Sequence, residues 1–390
     1  MKSTRTLIPS WLFIILIIST SLFVILSVWN IVSTTNFGEI DFMGYWSATY
    51  LFRNDQNPYS PELMETMQHI QLQSKLDVTI MAWNPPFLFV FLLPLVWLPF
   101  TTAKFVWLMI NIIIILAASL MLAHIYLPAN SSRLKLIFLL FAISFPQVMS
   151  GIYMGQVIFL VFWGLVACMA LIKKEQWFWA GAVLIFTTIK PHMAVLAVIY
   201  LLIYMAYQHQ YRGWGGLLVA GITCMFVLFA FRSNWIYDLI GESAIAPVNW
   251  ATPTIGGLFS YWGLSESVRY LIILLLPLPF LLARYPAQIS MESSVALLTL
   301  ITVPTTFFGW SYDQTVLLIP IAQIFSWIIR STHQLLKSLT IIGITCALVI
   351  NYYQRLLTIN EVFYVWIPLF WCLVFCLTWY GFSSKGEDYA

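Results

Sequence analysis

FVWLMINIIIILAASLMLAHIY, residues 105–126, contains no Asp, Glu, Lys or Arg. Wound as an α-helix at about 1.5 Å per residue, a run of this length covers about 33 Å, enough to cross a hydrocarbon core. In lipid such a backbone must satisfy its N–H and C=O groups internally, so the run reads as a transmembrane helix. Similar runs lie on both sides of it. LIPSWLFIILIISTSLFVILSVWNIV, residues 7–32, follows Lys2 and Arg5, is too long for a signal-peptide core and ends without a small-residue cleavage site. It is expected to be a retained first transmembrane helix. Further apolar segments are expected near 85–100, 134–150, 157–172, 177–189, 192–207, 214–231, 264–283, 294–309, 315–330, 338–352 and 361–380. Pro94, Pro277 and Pro279 inside them predict kinks.

Composition agrees with this reading. Of 390 residues, 61% are apolar and 8% charged, where a soluble domain carries about a quarter charged. A water-soluble domain is excluded, and the chain reads as one integral membrane domain over residues 1–390. The 18 Trp and 19 Tyr suit lipid interfaces or sugar-binding surfaces. A net charge of +3 is too small to point to nucleic acid. Cys168, Cys224, Cys346, Cys372 and Cys376 all lie in apolar runs and read as small hydrophobes, without a disulfide frame.

Lys and Arg are retained preferentially on the cytoplasmic side. Placing Lys2, Arg5, Arg133, Lys135, Lys173, Lys174, Arg212, Arg284, Arg330, Lys337 and Lys385 there gathers residues 33–83, 150–156, 190–192, 232–262, 309–314 and 351–361 on the outer face. Thirteen full crossings would then leave the termini on opposite sides, while the charges want both inside. The expected resolution is that region 85–126, interrupted by Pro94 and Pro99, holds one segment that does not fully cross. No internal repeat of the transporter kind is evident.

The outer loop 33–83 carries Glu39, Asp41, Asp55, Glu62, Glu65 and Asp77, six of the 15 acidic residues, against Arg53 and Lys75. Ile40, Tyr45, Ala48, Leu51 and Phe52 recur at helical spacing there. Met64, Met67 and Ile70 do so again after the Asn57-Pro58-Tyr59 turn, predicting two short amphipathic helices on the membrane surface. Asp41 opens the first, beside Tyr45 and Trp46. It stands either as a general base next to aromatic faces that stack on a sugar, or as a plain helix N-terminal charge.

The string Asp41-Phe42-Met43-Gly44-Tyr45-Trp46-Ser47-Ala48, then Leu51, Asn57-Pro58-Tyr59 and Asn84-Pro85-Pro86-Phe87, resembles membrane glycosyltransferases of family 87. Gly155-Gln156-Val157, Lys190-Pro191, Asn249 through Gly257-Leu258, and Trp310-Ser311-Tyr312-Asp313-Gln314 before Leu317-Leu318-Ile319-Pro320 resemble the family's later blocks in the same order. The Asp313 block departs from the family's His-Tyr version. The resemblance implies an all-α polytopic bundle of GT-C type with about 12–13 transmembrane segments. It also implies inverting transfer of a hexose (mannose-like) or a pentose from a polyprenyl-phosphate-linked donor at the outer plasma-membrane face, to a glycan or glycolipid acceptor hydroxyl. Asp41 would be the general base in the outer loop 33–83.

Lys190, His192, Arg232 and Arg269 are the candidates for the donor phosphate, each with headgroup anchoring or interfacial packing as its structural alternative. Tyr45, Trp46, Asn57, Tyr59, Gln156, Asn249, Trp310, Tyr312, Asp313 and Gln314 are candidates for sugar contact, or for capping outer helix ends. Asp55 and Asp77 could bind a divalent ion, but acidic loop residues are usually solvated, so a metal stays unassigned. There is no P-loop, no dinucleotide Gly pattern, no His-Glu-x-x-His helix and no nucleotide-sugar domain with a metal-binding acidic pair, which agrees with a donor already in the membrane. Competing readings are a transporter or flippase of a lipid-linked or small polar substrate, and a surface-polysaccharide ligase. Membrane lipids are the expected surroundings.

Overall fold

A computed structural model of the chain describes residues 40–74, 76–243, 250–285, 289–331 and 334–383, with Ile18, Leu22, Ile25, Phe37 and Gly38. The expected first helix, residues 7–32, lies largely outside the described residues, and so does Asn249. Helices account for all the regular structure among the described residues, with no strand.

Among the described residues, six helical stretches are long and apolar enough to cross a membrane: Phe100–Tyr126, Arg212–Phe231, Glu266–Arg284, Ser311–Arg330, Gln334–Leu356 and Glu361–Gly381. A seventh forms if Ser132–Ser144 and Pro146–Met154, bent by 52°, count as one. Five further apolar helices, among them Ile158–Lys173 and Val195–Tyr207, are shorter. By length alone, six or seven of the described stretches qualify as spans, where 12–13 segments were expected over the whole chain, the first of them largely outside the described residues. The prolines explain several of the breaks. Pro146 starts a new helix after the extended Phe145, Pro94 lies in a 3-10 turn closing Phe87–Leu92, and Pro277 divides Leu271–Leu274 from Leu278–Arg284. Ser311–Arg330 and Ile158–Lys173 are the inner elements, buried along nearly all their length, whereas Arg212–Phe231 lies at the periphery.

The bonds between elements fall into two groups, one at each end of the bundle. At one end Gly38 N–H donates to the Tyr153 carbonyl, Asn84 donates to the Ile189 carbonyl, Arg232 pairs with Asp55, and Arg355 donates to the Ser150 and Ser311 hydroxyls. At the other, Tyr126 OH donates to the Glu292 carbonyl and Lys173 pairs with Glu292. Both ends of Phe87–Trp97 sit at the first end: Asn84 precedes it there, and Leu95 and Val96 carbonyls accept from Trp46 and Arg53. Phe100–Tyr126, which follows it, is the stretch of this region long and apolar enough to cross a membrane.

The helix Asp41–Arg53 begins where its pattern placed it, but it does not rest on a surface by one face. Phe42 to Thr49, Leu51 and Phe52 are all buried. The Phe42 ring stacks on Trp107 at 5.7 Å, and Phe52 meets Phe89 and Phe231. The second helix forms as Pro61–Glu65 with a π-helical continuation to Gln71; Met64 and Met67 are buried, while Ile70 is exposed. The surface-lying description therefore fails for the first helix, because neighbouring helices cover it all round.

Candidate active site

Four local devices bring the polar groups together. Asp41 is the first residue of its helix, where a carboxylate favours the exposed N–H groups. Helix Pro146–Met154 ends at Gly155, whose φ of +72° is left-handed, and Gln156 N–H then returns to the Gly151 carbonyl at 2.8 Å. A Cβ at Gly155 would also lie 2.6 Å from the Cβ of Phe42, so only glycine lets this turn press against the Asp41 helix. Lys190 ends the 3-10 turn Leu184–Ile189, and the following Pro191 keeps it out of the helical region. Asp313 is the third residue of the 3-10 turn Ser311–Leu317, and its Oδ2 accepts the Trp310 N–H at 2.9 Å.

The result is one continuous chain of hydrogen bonds. Gln156 Nε2 donates to Asp41 Oδ2 at 2.6 Å. Gln156 Oε1 accepts from Tyr45 OH at 3.1 Å and from Lys190 Nζ at 3.0 Å. Lys190 Nζ in turn donates to Asp313 Oδ1 at 2.6 Å and lies 5.0 Å from the centre of the Tyr312 ring. With both amide ends engaged, the Gln156 side chain has one orientation. Asp313, Gln156 and Lys190 are buried, while Asp41 stays partly exposed at the open end of the chain.

The electrostatics follow from that arrangement. Dense packing around Asp41 pushes its carboxyl up to about 6, against the opposing pull of the Gln156 hydrogen bond and of Lys190; Asp313 and Glu361 add to the rise. Burial likewise holds the Tyr45 phenol well above its ordinary value. His192 is pulled down to about 4 by burial, with Asp313 opposing and Lys190 assisting, so it is neutral near pH 7. Its ring packs against Phe307 and Phe308 at 5.5 and 6.1 Å.

The remaining sequence candidates divide in two. Trp310 is half-buried in an aromatic group with Trp250, Phe308 and Tyr312, their centroids 5.4 to 6.4 Å away. The others are bonded elsewhere. Trp46 donates to the Leu95 carbonyl, Asn57 Oδ1 accepts the Tyr59 N–H, Tyr59 OH donates to the Asn84 carbonyl, and Gln314 donates to the Tyr364 carbonyl. Arg232 is held by Asp238 and Asp55. Arg269 is buried and donates from Nη2 to the Trp250 carbonyl at 3.0 Å. Among the described residues, no group of three or more His, Cys, Asp and Glu could hold a metal ion.

Four participants escaped the sequence reading. Trp107 Nε1 donates to the Gly155 carbonyl at 2.8 Å and Asn111 Nδ2 to the Gln156 carbonyl at 3.3 Å, so the first turns of the long apolar helix brace the glutamine. Asn111, an amide inside an uncharged apolar run, was the available signal. Arg355, 4.8 Å over the Tyr364 ring, and Glu361, which accepts the Ser311 N–H, brace the Asp313 turn.

An all-helical membrane protein with an acid at the open end of a buried polar chain suits group-transfer chemistry at a membrane surface. The family model of glycosyltransferase family 87 matches residues 83–350, more than half of the chain, and the chain belongs to that family. It is a glycosyltransferase. The match contains Gln156, Lys190 and Asp313, whereas Asp41 and Tyr45 precede it. No curated protein and no solved structure matches the chain.

Proposed function

We propose that the protein moves a hexose of the mannose type, or a pentose, from a polyprenyl-phosphate-linked donor to a hydroxyl of a glycan or glycolipid. Transfer takes place at the outer face of the plasma membrane, with inversion and with Asp41 as general base. The observation that carries this reading is Asp41 itself: a partly buried residue at the end of the hydrogen-bonded chain, its carboxyl raised to about 6 mainly by burial and its direction fixed by Gln156. A base poised near neutral pH is deprotonated when it meets the acceptor and still basic enough to take a proton.

The acceptor oxygen forms its bond to the anomeric carbon as its proton passes to Asp41, and the bond between that carbon and the phosphate oxygen breaks, releasing polyprenyl phosphate. Tyr45 OH, bonded to Gln156, helps hold the amide that holds the base. The half-buried Trp310 offers a face for the sugar ring. Lys190, matched by Asp313 and Gln156, organises the site and keeps positive charge beside it. The polar groups gather at one end of the bundle, in keeping with a surface reaction; a transporter concentrates them near the bilayer midplane.

The test is Asp41→Asn in purified protein supplied with radiolabelled polyprenyl-phosphate sugars. Transfer is expected to fall by about 10²–10⁴-fold while the protein remains folded. An unchanged rate with a normally folded variant rejects Asp41 as the base. The labelled sugar that the parent protein discharges identifies the donor.

A further inference from the structure

The cations at the site end differ in one respect: whether their charge is already met. Lys190 is paired with Asp313 and Arg232 with Asp238 and Asp55. Arg355 donates to two hydroxyls and stacks on Tyr364, and only its Nε is without a partner among the described residues. Arg269 stands apart. It is 5% exposed, its Nη2 donates to the Trp250 carbonyl, and its Nε and Nη1 are buried with no hydrogen-bond partner among the described residues. These two nitrogens carry three N–H donors. A buried guanidinium with unmatched donors is among the costliest arrangements in a folded protein, and an anion removes that cost.

The fold holds this side chain tightly. A Cβ on Gly256 would lie 2.5 Å from Arg269 Cα and 2.8 Å from its Cγ, so helix Ile255–Tyr261 grips the arginine's stem. Arg269 also lies near the start of Glu266–Arg284, a stretch long and apolar enough to cross a membrane, and the ends of such a stretch are where lipid headgroups lie. Beyond it Tyr270, Ile273 and Leu274 are exposed apolar surface on the same stretch. On the other side, Trp250 leads through its ring contact with Trp310 to the Asp313–Lys190 pair.

We infer that Arg269 holds a phosphate carried on a lipid, its unmatched Nε and Nη1 N–H groups supplying charge-assisted hydrogen bonds to phosphate oxygens. A phosphate there directs its lipid tail along Tyr270, Ile273 and Leu274 and its sugar toward Trp250 and Trp310. The same chemistry is offered by the donor's phosphate and by the headgroup of a bilayer phospholipid. Assignment to the donor rests on the transfer reading above; the anion site itself does not.

The experiment measures thermal stabilisation of the purified full-length protein in detergent by three probes: farnesyl phosphate, farnesol and dihexanoyl phosphatidylglycerol. Farnesyl phosphate is expected to raise the unfolding temperature and farnesol to leave it unchanged. Arg269→Met is expected to weaken farnesyl phosphate binding at least about tenfold. Arg269→Lys, which keeps a cation but loses the planar set of N–H donors, is expected to weaken it by less and covers the case in which the methionine variant does not fold. Binding of farnesyl phosphate by either folded variant at the parental affinity overturns the proposal. An Arg269-dependent shift with farnesyl phosphate alone supports the site as the donor's; an equal shift with phosphatidylglycerol supports it as a headgroup site. Parent protein that binds farnesyl phosphate through Arg269 but discharges no polyprenyl-phosphate sugar rejects the transfer reading and leaves this site standing.

Discussion

Two lysine–carboxylate pairs of nearly equal length mark the two ends of the bundle. Lys190 Nζ lies 2.6 Å from Asp313, with side chains 8% and 0% exposed; Lys173 Nζ lies 2.5 Å from Glu292, with side chains 44% and 20% exposed. Distance therefore says little about what either pair does. At the exposed end, water screens both charges, and such a pair is worth about 0–1 kcal/mol. At the buried end, neither charge has water to return to, so each depends on the other and on Gln156 and the Trp310 N–H. The buried pair is a poor device for stability but a good one for fixing geometry around Asp41.

The comparison is broken most strongly at the buried pair. Lys190→Ala leaves Asp313 charged and uncompensated, and is expected to cost about 3–5 kcal/mol, read as a large drop in unfolding temperature. Replacing both members, Lys190→Met with Asp313→Leu, removes the stranded charge and is expected to recover most of that loss, to within about 2 kcal/mol of the parent. If the single and double variants are equally unstable, the ion pair is not the reason.

Asp41 gives the next effect, through pH. Its carboxyl in the folded protein, at about 6, lies above the ordinary 3.8, so the folded state holds its proton more tightly than the unfolded chain. This group's contribution therefore lowers stability as pH rises from about 4 to about 6, and the cost is present in full above that. Asp41→Asn, whose amide oxygen still accepts from Gln156, is expected to unfold at pH 7.5 no earlier than the parent. Transfer runs the other way: it should decline as pH falls through about 6, because the base is then protonated. A rate unchanged between pH 7 and pH 5 contradicts that assignment. The smallest effect belongs to the exposed pair. Lys173→Ala is expected to change stability by no more than about 1 kcal/mol and to leave the pH–rate profile unaltered. A larger loss would mean that the two ends are built alike.

Much of the site was visible as separate residues. Asp41 at the start of its helix, Lys190 before Pro191 and Asp313 after Trp310 each stand at a break in an apolar pattern, and such breaks are local features of the chain. Charge placement left an odd number of spans and pointed to a short segment in region 85–126; in the structure both ends of Phe87–Trp97 bond to groups at the same end of the bundle. Burial of Asp41–Arg53 was not visible: its exposed face was inferred from one helix, whereas Phe42 and Phe52 are covered by helices distant in sequence. Arg232 and Arg269 have similar standing in the sequence, yet one is paired with Asp238, six residues on, and with Asp55, 177 residues away, while the other keeps two nitrogens without a partner among the described residues.

By itself, the sequence determined that this chain is an all-helical membrane protein with its acidic residues concentrated in one loop. Hydropathy, charge and proline act over a few turns of helix, so they can be read in order along the chain. Only the tertiary structure decided that Gln156 joins Asp41 to Lys190, that Lys190 is matched by Asp313 across 123 residues, and that Arg269 is buried with donors to spare. Those outcomes depend on which helices pack side by side, and packing is settled by the fit of whole surfaces rather than by spacing within any one segment.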